Sequence, residues 1–453
     1  MRKRRTIKFI IALTIGKIIF NTIKIIKPNR GSHTPGEIAI KICPNFLSRI
    51  RIPKTIIAVT GTNGKTTVAN LLSNILNQNK YQTIINSKGS NTDAGVATAL
   101  IQKVDFFGNC HHHFGIFELD ERLAHRVFAH IEPTYLVCTN LFRDSIKRNG
   151  HFEFVFNKLN PAIPNKTTLI LNADDLISSS LQPKNKRIYF SVENVLNHEQ
   201  KNIVQDISTC PKCHYFLEYK YRHHHHIGKA FCPKCSFKSP TSDFTCIEIN
   251  KTTLTIKEKT TDQYPLIANN IYNIYNTTAI IATLKTIGLT KEQIANGLNQ
   301  STLIENRQKS YQKNNLEVLT ILSKNQNPIS TSLALDYIAN LEGNKVIVLL
   351  VTDTLDKIHG SEDISWLYDT DFEFLNKPNI KQIIACGNRC YDISTRLQLA
   401  GIKKSIITTK ENYFAIKRVI KKNKINKIII AYELYGYNIA LDLKNKIIGD
   451  QND

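Results

Sequence analysis

Two hydrophobic patterns recur along this chain. Short apolar runs rich in β-branched residues read as buried strands. Between them, apolar residues return every three or four positions, as they do on one face of a helix. From 54 to 175 the two alternate, and strands are predicted at 55–60, 82–86, 114–119, 134–139 and 167–172. Val68 to Leu76 has helical spacing, and Ala268 to Ala279 opens a long helix running to about Ile287. Strand–helix alternation predicts an α/β fold with a mostly parallel sheet. Apolar runs at 316–322, 345–351, 380–385, 404–408 and 425–431 predict a second α/β domain. Residues 205–240 break the pattern and read as an insert. The predicted organisation is an N-terminal segment at 1–50, a central domain at 51–308 carrying that insert, and a C-terminal domain at 309–453.

The N-terminal segment begins Met1-Arg2-Lys3-Arg4-Arg5 and continues Ile-rich to Ile26. A basic start before an apolar run mimics a signal peptide, but Lys8, Lys17 and Lys24 interrupt it and no small-residue cleavage site stands out. The uncharged run from Phe9 to Gly16 is too short to span a bilayer. A basic amphipathic helix fits better, packed on the protein body or lying on an anionic membrane surface. Gly31 to Gly36 then reads as a loop.

Charge adds one constraint. Sixty Lys and Arg against 37 Asp and Glu give +23, which favours acidic partners such as nucleotides, anionic lipid or nucleic acid. Ile, Lys and Asn are abundant throughout and no single basic block dominates, so nucleic acid is not expected as the partner.

The strongest chemical signal is Gly61-Thr62-Asn63-Gly64-Lys65-Thr66-Thr67, between the strand at 55–60 and the helix at 68–76. A strand, a Gly-containing turn and a helix N-terminus form a phosphate cradle of backbone N–H groups. The glycines allow close backbone approach, Lys65 reaches β/γ-phosphates, and the Thr66 hydroxyl suits Mg²⁺. Only two residues separate the glycines, so this is a shortened phosphate loop. Polar residues stand at three further strand ends, where open α/β sheets bind ligands: Asn86 to Thr92, Glu118-Leu119-Asp120-Glu121, and Thr139-Asn140-Leu141-Phe142-Arg143-Asp144. The carboxylates at the second of these ends are what a further Mg²⁺ contact needs. Asn273 and Asn276 share a helix face, and Asn can pair with adenine.

Cys210-Pro211-Lys212-Cys213 and Cys232-Pro233-Lys234-Cys235 lie eighteen residues apart, the pattern of a four-cysteine zinc ribbon. Four thiolates leave no open position, so the predicted zinc is structural. The other six cysteines read as buried thiols in a reducing cytoplasm. The run His223 to His226 between the knuckles reads as a solvated loop tip able to hold stray metal.

These motifs resemble the Mur ligase family, which joins amino acids to peptidoglycan precursors. The zinc insert and the wordings Asn140-Leu141-Phe142-Arg143-Asp144, Tyr272-Asn273-Ile274-Tyr275-Asn276 and Asp363-Ile364-Ser365-Trp366 are similar to its MurT-type branch, the ligase subunit of lipid II isoglutaminyl synthase. Lys88 stands where that branch usually has an acidic residue, and Asn306 where it has Gly. The resemblance implies a Mur-ligase-like ATP-binding central domain and a cytoplasmic, ATP-dependent ligase using Mg²⁺ and Zn²⁺. It implies ATP contacts from Asn140, Asn273, Asn276 and Arg307, metal binding by Glu118, and catalytic roles for Lys65 and Glu118. The implied reaction amidates the D-glutamate α-carboxylate of lipid II through an acyl phosphate. No Cys stands in a Gly-x-Cys-x-Gly elbow, so ammonia is expected from a separate GatD-type glutaminase. Asp363 is the candidate to complete that partner's Cys-His pair; a helix N-cap is its structural alternative. Two other readings compete. One is a Mur-type ligase that adds an amino acid or polyglutamate without a partner. The other is a non-catalytic zinc-ribbon protein that binds nucleic acid.

Overall fold

A computed structural model describes residues 4–26, 33–86, 90–143, 150–196, 200, 202–301, 308–313, 315–323, 327–360, 363–402, 406–410, 413–423 and 425–449. The chain forms two units, one holding most of residues 1–303 and the other most of 304–453.

In the first unit, helices α1 (Ile7–Ile26) and α2 (Thr34–Ile42) precede β1 (Thr55–Thr60), α3 (Lys65–Gln78), β2 (Thr83–Ile85), α4 (Asp93–Lys103), β3 (Phe114–Glu118), β4 (Tyr135–Cys138), β5 (Thr168–Asn172) and β6 (Arg187–Val192). The hairpin β7 (Glu218–His224) and β8 (Ile227–Phe231) follows, then β9 (Phe244–Ile249), β10 (Thr253–Lys257), β11 (Thr261–Pro265) and α5 (Ile271–Thr286). Among the described residues the main sheet runs β11-β10-β9-β6-β5-β4-β1-β3-β2. It is parallel from β2 to β9 and antiparallel through β10 and β11. β1 lies between β3 and β4, so the chain changes direction across the sheet there, and open sheets bind ligands at such a switch point. β6 pairs directly with β9, so the β7–β8 insert leaves the main sheet intact.

β1 is buried on both faces, as a central parallel strand must be. Ile56 and Ala58 join a core with Phe9, Leu13, Ala39 and Leu100. Ile57 and Val59 alternate to the opposite face and are buried there too.

Helix α1 packs on this body through Phe9, Ala12, Leu13 and Gly16. The Phe9 ring lies 5.2 Å from that of Phe46. Lys17 Nζ donates to the carbonyls of Ile101 (3.0 Å) and Val104 (2.6 Å), closing the C-terminal end of α4. Burial lowers the Lys17 pKa, with the charge of Asp105 opposing. Of the two placements expected for this segment, the structure shows packing by one face.

In the second unit, β12 (Gln308–Lys313), β13 (Leu316–Leu322), β14 (Lys345–Leu350), β15 (Ile380–Cys386), β16 (Ile406–Thr408) and β17 (Lys427–Tyr432) form a sheet of order β12-β13-β17-β14-β15-β16. Among the described residues, only the β12–β13 pair is antiparallel. Separate apolar clusters include Ile347 and Leu349 on one side and Val346 and Val348 on the other. Asn327 caps the helix Pro328–Asn340 by accepting from the Ser330 N–H at 2.7 Å.

Candidate active site

The loop from Gly61 to Gly64 leaves β1 and enters α3 with both glycines at positive φ, 128° and 87°. Space demands glycine as well as conformation. A Cβ on Gly61 would lie 2.3 Å from Thr139 Oγ1 and 2.8 Å from the Asn140 carbonyl oxygen, and one on Gly64 would lie 2.3 Å from Asn276 Oδ1. Two elements therefore press on the loop: the segment after β4 and the first turns of α5.

The segment after β4 holds it by hydrogen bonds. Thr62 N–H donates to the Asn140 carbonyl at 2.8 Å, and Asn63 N–H to Asn140 Oδ1 at 3.0 Å. Asn140 Nδ2 returns a bond to the Asn63 carbonyl at 3.2 Å, and Thr139 Oγ1 donates to the same carbonyl at 2.6 Å. Phe142 N–H donates to Thr62 Oγ1 at 2.9 Å. Asn140 thus fixes the loop backbone with both ends of its amide. The first-turn N–H groups of α3 have no carbonyl a turn back within the helix, so its N-terminus can receive an anion.

Lys65 is buried and folds back on the loop. Its Nζ donates to the carbonyls of Gly61 and Thr62 and pairs with Glu121 Oε2 at 3.0 Å. Burial pulls its pKa down, but the Glu121 charge and hydrogen bond, with Glu118 and Asp120 behind them, leave it raised. The ammonium is held charged. Nothing in the motif Glu118-Leu119-Asp120-Glu121 says which carboxylate turns toward Lys65, so Glu121 is a site residue that sequence reasoning misses. Asp120 instead binds Arg122, at 2.8 Å. Glu118 is half-buried at the end of β3, its backbone paired with the Asn86 amide at 2.8 Å in both directions.

Thr66 is exposed and Thr67 half-buried on the first turn of α3. Asn276 is buried against Gly64, and Asn273 lies half-buried one turn before it on α5. Neither caps that helix; Asn270 does, accepting from the Asn273 N–H at 2.9 Å. Arg307, Lys88, Asn306 and Asp144 lie outside the described residues. Asp363, in the second unit, accepts from Ser365 N–H (3.0 Å) and Ser365 Oγ (2.5 Å), holding the short 3₁₀ turn Ser365–Leu367.

The ligand atoms of Cys210, Cys213, Cys232 and Cys235 all lie within 4.8 Å of one another. Sulfur separations are 3.6 Å for Cys210–Cys235 and 3.4 Å for Cys213–Cys232. Four thiolates at Zn–S distances of about 2.3 Å stand roughly 3.8 Å apart, so the cluster suits a tetrahedral ion. Burial raises the Cys210 thiol, but backbone N–H groups of Cys213 and Lys212 on its sulfur bring it down to about 7.

One expectation is overturned. The histidines are not a solvated tip: His223, His224, His225 and His226 are at most 3% exposed. The turn between β7 and β8 packs inward on Phe142; His223 Nε2 meets the Val192 carbonyl at 3.0 Å, while His224 Nδ1 is buried without a hydrogen-bond partner among the described residues. Phe142 packs against the rings of His224, His225 and His226 at 5.9, 5.6 and 4.5 Å. Burial, and then the neighbouring histidines, keep the His224 pKa well below its ordinary value. His226 Nε2 bonds Asp175 Oδ1 at 3.2 Å, and Asp175 Oδ2 accepts from Leu141 N–H at 2.7 Å. Asp206 binds Arg143 Nε (2.5 Å) and the Arg143 N–H (2.9 Å). The hairpin turn therefore braces residues 141–143, which brace the phosphate loop.

Replacing His226 by Ala removes the bond to a buried carboxylate and the packing on Phe142. We expect a loss of about 1–3 kcal/mol, seen as a weaker nucleotide affinity by roughly tenfold or more in a titration run beside thermal melting. Unchanged affinity would mean the brace does not reach the loop.

Comparison with known proteins agrees with this geometry. Residues 59–231 match the family model described as Mur ligase middle domain, and residues 322–434 that described as MurT ligase C-terminal. Lipid II isoglutaminyl synthase (glutamine-hydrolyzing) subunit MurT of Staphylococcus aureus (strain COL) is 30% identical over 394 residues, 86% of this chain and 88% of the relative. The subunit of the same name from Streptococcus pneumoniae is 28% identical over 434 residues, 93% of each chain. Among solved structures, a pseudomurein peptide ligase type C from Methanothermus fervidus superposes with TM-score 0.67 at 19% identity, covering 91% of this chain and 84% of its own. MurF from Acinetobacter baumannii gives TM-score 0.62 at 16% identity, covering 86% and 77%. The structures speak for the Mur ligase fold alone; the sequence relatives carry the branch, and the chain belongs to the MurT-type family of Mur ligases.

Proposed function

We propose that this protein is the ligase subunit of a lipid II isoglutaminyl synthase. On this reading it amidates the D-glutamate α-carboxylate of lipid II to D-isoglutamine, with ammonia from a GatD-type glutaminase partner. The observation that carries the reading is the glycine-tight loop with a charged, buried Lys65 at the switch point of a Mur-type sheet.

ATP with Mg²⁺ would supply a phosphoryl group: a carboxylate oxygen takes it with release of ADP, and ammonia then displaces phosphate from the acyl carbon to leave the amide. The chain's residues divide the remaining work. Backbone N–H groups at the start of α3 bind phosphate. Lys65, kept charged by Glu121, offsets negative charge as the phosphoryl group moves. Thr66 and Glu118 provide oxygen ligands for Mg²⁺. Asn140 holds the loop in register, Asn273 and Asn276 face the nucleotide, and Arg307 is assigned to ATP or the link between domains. Cys210, Cys213, Cys232 and Cys235 hold a structural Zn²⁺ that keeps the β7–β8 hairpin in shape. The acceptor is lipid-linked, so the enzyme works in the cytoplasm at the inner face of the cell membrane.

Loss of Lys65 tests the core of this reading. Lys65→Ala alone strands Glu121, which costs roughly 3–5 kcal/mol for a buried pair. The cleaner variant combines Lys65→Met with Glu121→Gln. We expect ligation to fall at least ~100-fold with the melting temperature held. Near-normal ligation by this folded variant would remove the phosphate-loop assignment.

Elemental analysis of protein prepared without chelators should find about one zinc per chain. Cys213→Ser should lose it and melt at lower temperature. Zinc-free wild-type protein of full stability would end the ribbon assignment.

Asp363→Asn separates the two nitrogen sources. Asn keeps the acceptor that serves Ser365 but lacks the charge that would stabilise a partner's catalytic imidazolium. In the assembled complex we expect glutamine-driven amidation to fall by about two orders of magnitude or more while reaction with free ammonium persists. Equal loss with both places Asp363 in the ligase chemistry; no loss with either leaves it the acceptor that holds Ser365, since the N-cap position of that turn is Ile364.

A further inference from the structure

Helix α1 shows an inverted surface. Its buried side, Phe9, Ala12, Leu13 and Gly16, is apolar as expected. Its outward side is apolar as well: Ile7, Ile11, Ile18 and Ile25 recur at helical spacing and are 81, 48, 58 and 83% exposed. Only Thr14, Asn21 and Thr22 interrupt that stripe, and Ile7–Ile26 contains no Asp or Glu. A helix facing water would carry its charges there. Here Lys8, Lys17 and Lys24 fall to the flanks of the stripe when the helix is laid out at its normal pitch. Close by, the loop after α4 exposes Phe106 and Phe107, at 76 and 69%. It is tied to α1, since Arg5 Nη2 donates to the Gly108 carbonyl at 3.1 Å and Lys17 Nζ lies 5.4 Å from the Phe106 ring centroid.

We propose that the outward face of α1, with Phe106 and Phe107, is a docking surface for an anionic lipid bilayer. The helix lies in the interface plane with its isoleucines among the acyl chains and Lys8 and Lys24 at the headgroups. Charge selects this occupant. Exposed Arg4, Lys8 and Lys24 border the stripe in a chain of net charge +23, matching anionic headgroups. The helix is long and apolar enough to cross a membrane by composition. Crossing, however, would strip the Phe9–Leu13 face from the core and drag Lys17 from the two carbonyls it serves. Lying flat keeps both. The inference deepens the proposed function, resting on it only for the reason a lipid-linked acceptor makes docking useful.

The test uses the full chain and vesicles without lipid II, so no turnover is needed. Wild-type protein should sediment with vesicles of phosphatidylglycerol and phosphatidylcholine, and less with phosphatidylcholine alone. Ile11→Asp/Ile18→Asp should lower the partition at least tenfold on the mixed vesicles, while melting temperature and nucleotide affinity stay at wild-type values. Should that variant lose stability, Phe106→Ser/Phe107→Ser reads the same surface from a loop and should lower the partition as well. Lys8→Glu/Lys24→Glu should weaken binding to anionic vesicles only. The proposal is overturned if wild-type protein ignores anionic vesicles or if the aspartate variant binds them equally. It is also overturned if the stripe instead mediates lipid-free self-association that the same variant abolishes. Amidation of a detergent-dispersed acceptor separates the two ideas. Turnover without vesicle binding removes only the docking surface, and vesicle binding without turnover removes only the reaction.

Discussion

Everything at the candidate site depends on how closely residues 139 and 140 approach the turn after β1. Gly61 leaves no room for a side chain beneath Thr139 and Asn140, and that contact sets the path of the phosphate loop. Asn140 then holds Asn63 from both sides of its amide, so the loop can neither slide nor flip without breaking two bonds. A loop held this way presents its N–H groups without first being ordered, which lowers the conformational cost of binding an anion. The lysine in that loop is prepared in the same manner. Burial alone would favour its neutral form, and Glu121 reverses the balance.

The four-cysteine hairpin gains a meaning from the same contact. By sequence it is an excursion between two strands, and by topology it leaves the sheet undisturbed. Its turn nonetheless ends in the core beside Phe142, with His226 on Asp175 and Asp175 on the Leu141 N–H. The four-cysteine cluster at its base and the phosphate loop are joined through one rigid hairpin and one short segment. Whatever holds the four cysteines together can therefore act on the loop at Gly61–Gly64 through residues 141 and 142, without touching it.

The periodic parts of the fold were legible because central parallel strands are apolar on both faces. β1, at Thr55–Thr60, and β13, at Leu316–Leu322, lie where the apolar runs put them. β6 to β12 were not foreseen, and for β11 and β12 the reason is plain. Each is an edge strand paired on one side only, with polar residues such as Thr261-Asp262-Gln263 and Gln308-Lys309-Ser310, and an edge strand facing water leaves no apolar run to find. The histidine run was misread for a related reason. Four consecutive polar residues look like surface, and only partners far away in sequence, at 142, 175 and 275, make burial affordable.

Sequence alone determined the α/β class, the glycine turn between β1 and α3, the four clustered cysteines and the family. Each of these is written locally, as a period, a spacing or a short motif. Tertiary structure decided which carboxylate holds Lys65, that Asn276 rather than a cap touches Gly64, that the histidines turn inward, and that α1 keeps an apolar face outside. Those outcomes depend on residues tens to more than two hundred positions apart being brought together, and on which side of each element the core occupies. No local pattern carries that information, because an apolar stripe on a helix is the same sequence signal whether protein or lipid covers it.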